Sequence, residues 1–67
     1  MTYPKLRGAI REKFGTQEAF ASALGMSKTT LSSKLSGKTE WTRQEIEDAC
    51  KVLSVPIADA LDYFFAS

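Results

Sequence analysis

Apolar residues fall at helical spacing along almost the whole chain. Leu6, Ile10 and Phe14 recur every fourth position and are followed by Gly15, so the first stretch reads as a helix with an inward stripe and a left-handed glycine stop. Thr16 offers a capping hydroxyl to a second helix with Phe20, Ala21 and Leu24 on one face and Gly25 at its end. Ser27 caps a third, which carries Leu31 and Leu35 inward and ends at Gly37, so that only Gly25 and Met26 separate helices two and three. Thr42 and Glu45 form a capping box ahead of Ile46, Ala49, Cys50 and Leu53, spaced i, i+3, i+4, i+7. Pro56 suits the first turn of a fifth helix, in which Ile57, Ala60, Leu61 and Phe64 share a face. No stretch alternates with period two, and no hairpin dipeptide or internal repeat is present. The expectation is an all-α fold of five helices, residues 1–67 forming one domain. A glycine inside a helix costs about 1 kcal/mol relative to alanine, so Gly8 marks a place where a neighbouring helix is expected to cross closely.

Composition narrows what such a fold can do. The 67 residues are 43% hydrophobic and 25% charged, the profile of a globular chain. A core of this size supplies only about 3–5 kcal/mol of net stability, and no covalent staple supplements it. The one cysteine, Cys50, has no intrachain partner, and without histidine no structural zinc site of the usual kind can form. No apolar run approaches the roughly 18 residues of a membrane span, and the amino end lacks the apolar stretch of a signal peptide, so a reducing, cytoplasmic setting is expected. Histidine, the commonest general base, is missing, and Gly8, Gly15, Gly25 and Gly37 stand singly rather than in a phosphate-cradling loop. Neither enzymatic activity, nor a cofactor, nor a small-molecule substrate is expected.

The net charge of +1 conceals a polarity. Residues 1–44 hold eight basic against three acidic side chains, a net of +5, whereas residues 45–67 hold one against five, a net of −4. Such a division suits a chain with one side on a polyanion, although helices can also segregate solvated charge without any ligand.

Residues 16–38, TQEAFASALGMSKTTLSSKLSGK, resemble the helix-turn-helix of the phage repressor and Cro family, the xenobiotic-response-element-like DNA-binding domains. Ala21 is the small residue where helix three crosses helix two. Gly25 occupies the turn with Met26 after it, and Phe20 and Leu24 oppose Leu31 and Leu35. Many members have an apolar residue where Lys34 stands and a glutamate where Leu35 stands. The segment KLSGKTEWT (residues 34–42), then Glu45, Ile46, Phe64 and Phe65, is similar to short phage regulators of Gram-positive hosts, so the likeness covers nearly the whole chain. The resemblance implies a lambda-repressor-like domain with helices two and three as the helix-turn-helix.

It also implies where DNA would be met. Base-reading positions map to Lys28, Thr29 and Ser33, with Ser32 on the same outward face. Short hydroxyls suit a helix seated in the major groove, where Lys28 can donate to guanine and the Thr29 methyl can meet a thymine methyl, but they also serve as ordinary surface residues. Phosphate contacts are expected from Gln17 and Ser27 at helix starts, and from Lys34, Ser36, Lys38, Thr39 and Arg43 beyond helix three. Lys38 and Arg43 could alternatively serve solubility. Trp41 precedes the Thr42 cap, at the staple position against Ile46, and reads as core rather than a stacking platform.

The adjacent aromatics Tyr63, Phe64 and Phe65 cannot all face inward on one helix. With Phe64 in the core, Tyr63 and Phe65 become candidates for contact with a second copy on near-palindromic operator DNA, the other reading being a frayed end. The implied function is a sequence-specific transcriptional regulator on double-stranded operator DNA, a homodimer at least when bound, with little besides DNA binding in so short a chain. Two alternatives use the same fold: an interaction module that binds another regulator, as an anti-repressor or modulator, and an antitoxin-like domain.

Overall fold

The computed structural model describes residues 3–65, and among these it has five α-helices and no strand. They are α1 (Pro4–Phe14), α2 (Gln17–Leu24), α3 (Lys28–Leu35), α4 (Arg43–Leu53) and α5 (Ala60–Phe64), the last preceded by a 3₁₀ turn at Ile57–Asp59. Each boundary has a local cause. The side chains of Thr16, Ser27 and Thr42 accept the amides of Ala19, Thr30 and Glu45, satisfying N–H groups that a helix start leaves unpaired. At Thr42 the box is complete, because its own amide donates 2.8 Å to Glu45 Oε1.

Gly25 makes the short link between α2 and α3 possible. It sits in the left-handed region at φ 74°, and the following amide of Met26 reaches back 3.0 Å to the Ala21 carbonyl, the six-to-one bond of a Schellman ending. The chain thereby turns within two residues, and α3 packs against α2 over Ala21, which is 1% exposed.

Around this pair lies a core of Leu6, Ile10, Phe20, Ala21, Leu31, Leu35, Ala49, Cys50, Leu53 and Phe64, drawn from all five helices. Full burial of one such large side chain is worth about 1.5–3 kcal/mol, so the few large members carry most of the stability. Aromatic edges extend the core at one end: Trp41 meets Phe64 at 5.0 Å between centroids and Tyr3 at 6.4 Å, both near-perpendicular. The half-buried Trp41 thus packs as part of the core, although its indole N–H finds no acceptor among the described residues. Burial holds the Cys50 thiol above its ordinary pKa, as does the nearby Asp59, so it stays protonated.

Two expectations fail here. Outside its own helix, no atom of the described residues lies within 4 Å of where a Cβ on Gly8 would sit, so no described helix crosses closely there. The carboxyl-terminal segment is also turned differently. Ile57 and Leu61, expected inward, are 60% and 67% exposed, while Ala60, Tyr63 and Phe64 make the inward contacts. The segment opens as a 3₁₀ turn, which advances about 120° per residue rather than 100° and alters the phase of the face that docks. Tyr63 therefore lies half-buried against α1, its ring 4.9 Å from Lys5 Nζ, and is not an outward aromatic as expected. Of the two dimerisation candidates only Phe65 projects outward, at 66% exposure.

Candidate nucleic-acid interface

The outer surface of α3 is built from short polar side chains because its apolar residues are confined to one narrow stripe. Leu31 and Leu35 are fully buried, and their spacing of four turns Thr29 and Ser33 to the opposite side. Lys28, Thr29, Thr30 and Ser32 are exposed and Ser33 is half-buried. The side chains of Lys28, Thr29 and Ser32 make no hydrogen bond or ion pair among the described residues, so their polar groups face solvent.

The residues expected at phosphates divide into four groups. Lys38 and Thr39 are exposed beyond α3 with unengaged side chains. Their amides donate to the Ser33 carbonyl, at 2.9 and 3.4 Å, which folds the loop back beside the helix end. Ser27, Ser36 and Arg43 are exposed but locally engaged: the Ser27 hydroxyl donates to Thr30 Oγ1, the Ser36 hydroxyl to the Ser33 carbonyl, and Arg43 Nε to Glu47. With its side chain 93% exposed, Arg43 gains little from that pair and can exchange it readily. Gln17 is half-buried at the first position of α2.

Lys34 departs from expectation altogether. Only 7% exposed, it points inward, and its ammonium donates 3.1 Å to the Glu40 carbonyl and pairs at 2.9 Å with Glu45 Oε1. A buried ammonium needs such partners, and once committed to them it is withdrawn from the surface where a phosphate would lie. On the other side of the pair, burial pushes the Glu45 carboxyl up, but the Thr42 amide and Lys34 outweigh this and hold it below its ordinary 4.5.

Other residues join the site without having been anticipated. Arg7 and Arg11, four apart on α1, line a groove of about 430 Å³ together with Gly15, Thr16 and Gln17, placing two guanidinium side chains beside the start of α2. Arg7 also donates 2.9 Å to the Leu35 carbonyl, satisfying an acceptor that the end of α3 leaves open. Their i, i+4 spacing was visible in the sequence, but nothing there showed that α1 runs past α2's amino end.

Along the carboxyl-terminal segment Ile57, Leu61 and Phe65 are exposed apolar residues at i, i+4, i+8, flanked in sequence by Asp59 and Asp62, with Phe65 beside Glu40 and Trp41 of the loop that leaves α3. The two surfaces have opposite character: basic and hydroxylic around α3, apolar and acidic along α5.

A compact all-helical unit built on a tightly turned helix pair, with a hydroxyl-rich outer helix, defines the class of protein. The chain belongs to the family described as "Protein of unknown function (DUF739)", which it matches over residues 1–67. Its fold is similar to the solution structure of the modulator of repression (MOR) of the temperate bacteriophage TP901-1 from Lactococcus lactis. The two are 45% identical with a TM-score of 0.86, over 96% of this chain and 86% of that one. No curated protein matches it. Among the described residues no helix is long and apolar enough to cross a membrane, and no cluster of ligating side chains is placed to hold a metal ion.

Proposed function

We propose that this chain is a phage or prophage transcription regulator that occupies operator DNA, with α2 and α3 as its helix-turn-helix. One observation carries this reading: the outer face of α3 presents Lys28, Thr29 and Ser32 unengaged to solvent, while Leu31 and Leu35 seat the helix on α2. Short donors on a firmly backed helix can approach base edges, and such a helix fits the width of the major groove. Lys28 and Thr29 read bases together with Ser33 and Ser32, whose hydroxyls lie along the same surface. Lys38, Thr39 and Arg43 meet phosphates, as do Gln17 and the residues around the starts of α2 and α3, where helix amides face the backbone. The likeness to a phage modulator of repression supports a regulatory setting of this kind.

A second reading has its own observation. The ridge of Ile57, Leu61 and Phe65 is more apolar exposure than one short helix needs, and it suits contact with another regulator or with a second copy on the operator. It fits the role named for the phage relative. A footprint of the purified chain across its own promoter region separates the two. Protection of a discrete site supports the DNA reading. No protection, together with tight capture of the phage's own repressor through the ridge, supports the second.

A further inference from the structure

A buried lysine in a chain with an otherwise apolar core calls for a reason. Everything that receives the Lys34 ammonium comes from residues 40–45, across the loop that leaves α3. The Glu40 carbonyl accepts at 3.1 Å, Glu45 Oε1 pairs at 2.9 Å, and the Trp41 ring lies 5.9 Å away, within cation–π range. The same Glu45 oxygen accepts the Thr42 amide, so one carboxylate closes the cap of α4 and fastens α4 to α3. At its other end the loop is tied by backbone bonds to the last turn of α3, from Gly37 to Lys34 and from Lys38 to Ser33. Gly37, at φ 86°, supplies the left-handed step that starts the return. Lys38 and Thr39 are exposed, with both amides on the Ser33 carbonyl and with side chains that make no hydrogen bond or ion pair among the described residues.

We infer that Lys34 is a positioning residue: it clamps the second end of the 36–42 loop so that Lys38 and Thr39 are held beside α3 at a fixed height, ready for the phosphates flanking the groove. This rests on the DNA reading above and extends it, because it assigns the grip on phosphate to a side chain that never touches DNA. An apolar residue at position 34 could fill the space against Trp41, but it could not reach the Glu40 carbonyl. The loop would then be held only by the amides of Gly37, Lys38 and Thr39 at its α3 end, and the side chains of Lys38 and Thr39 would have more freedom to lose when DNA binds.

The test uses Lys34→Met, which keeps the length and apolar stem, in the full chain. Amide hydrogen exchange of the free protein is the first readout: the Thr39 amide, bonded to the Ser33 carbonyl, and the Thr42 amide, bonded to Glu45 Oε1, should exchange at least tenfold faster while the core amides of α2 and α3 keep their protection. The second is a double-mutant cycle with Lys38→Ala on a duplex carrying the promoter region. Lys38→Ala should weaken binding several-fold in the parent chain and much less in the Lys34→Met background, because an unclamped loop has already lost that contact. If Lys34→Met fails to fold, Glu45→Gln keeps an oxygen for the cap but removes the charge, and the same two readouts apply. Unchanged exchange at Thr39 and Thr42 overturns the clamp, and independent, multiplicative losses overturn its link to Lys38. A parent chain that ignores duplex DNA overturns the DNA reading instead, leaving the exchange result to decide the clamp by itself.

Discussion

Two helices of this chain carry apolar residues at the same spacing and use them in opposite ways. In α3, Leu31 and Leu35 are fully buried and the polar residues between them face outward. Along the 3₁₀ turn and α5, Ile57, Leu61 and Phe65 follow the same rule of four yet lie exposed, while Tyr63 and Phe64 turn inward. A periodic stripe shows that a helix has two faces. Which face is buried depends on what the neighbours offer. For α3 the choice is forced by the two-residue turn at Gly25, which lays it directly on α2. For α5 the approach is freer. The edge of Trp41 draws in Phe64, and the stem and charge of Lys5 draw in Tyr63.

The largest effect that can sharpen this contrast is on stability. Leu31→Ala removes a fully buried side chain and should cost about 2–5 kcal/mol, comparable with the whole stability of so small a domain. Leu61→Ala should change stability by no more than about 0.5 kcal/mol, since Leu61 is two-thirds exposed. Thermal melts of the two variants side by side decide it, and equal losses would mean that α5 is docked by the other face.

On DNA the two ends should differ in the same direction. Lys28→Ala is expected to cost about 1–3 kcal/mol on the preferred site and to flatten discrimination at one base pair. Lys38→Ala should weaken all sequences alike and lower the salt slope by about 1, whereas Leu61→Ser should leave half-site affinity unchanged. Competition titrations at several salt concentrations give all three numbers.

Acid provides a smaller lever on the tie behind α3. Because Glu45 titrates below its ordinary 4.5 in the folded chain, its contribution is present above that value and is lost as pH falls through the folded one. Melting temperature should therefore drop on acidification below about pH 4.5, and Glu45→Gln should make that drop shallower.

Much of the α3 end is legible in the sequence. Thr16, Ser27 and Thr42 cap as their residue types suggest, and Gly15 and Gly25 end helices in positive-φ conformations. These are local effects, decided within four or five residues, and a sequence displays them directly. Lys34 was misplaced for a different reason: a long amphipathic side chain can lie along a core and still satisfy its charge, and its partners Glu40 and Glu45 meet it only after the loop has folded back. The α5 stripe failed because a segment so short carries too few residues to define its own inward face. Arg7 and Arg11 were passed over because their value lies in what α1 runs beside.

Gly8→Ala is the smallest expected change and serves as a control for both ends. The site is exposed, in helical conformation and open to a Cβ, so the substitution should stabilise the chain by about 0.5–1 kcal/mol without altering either surface. A loss of stability would reveal an approach to α1 that the structure does not contain.

On the proposed reading DNA is met by the outer surface of α3 and not by the exposed residues of α5. The direct measurement is a two-dimensional ¹⁵N spectrum of the whole chain, titrated at low salt with a duplex carrying its own promoter region. Amide shifts should concentrate at residues 27–39 and at Gln17, with Ile57, Leu61 and Phe65 unmoved. Shifts confined to residues 57–65, or no shifts with DNA in excess, would contradict that reading.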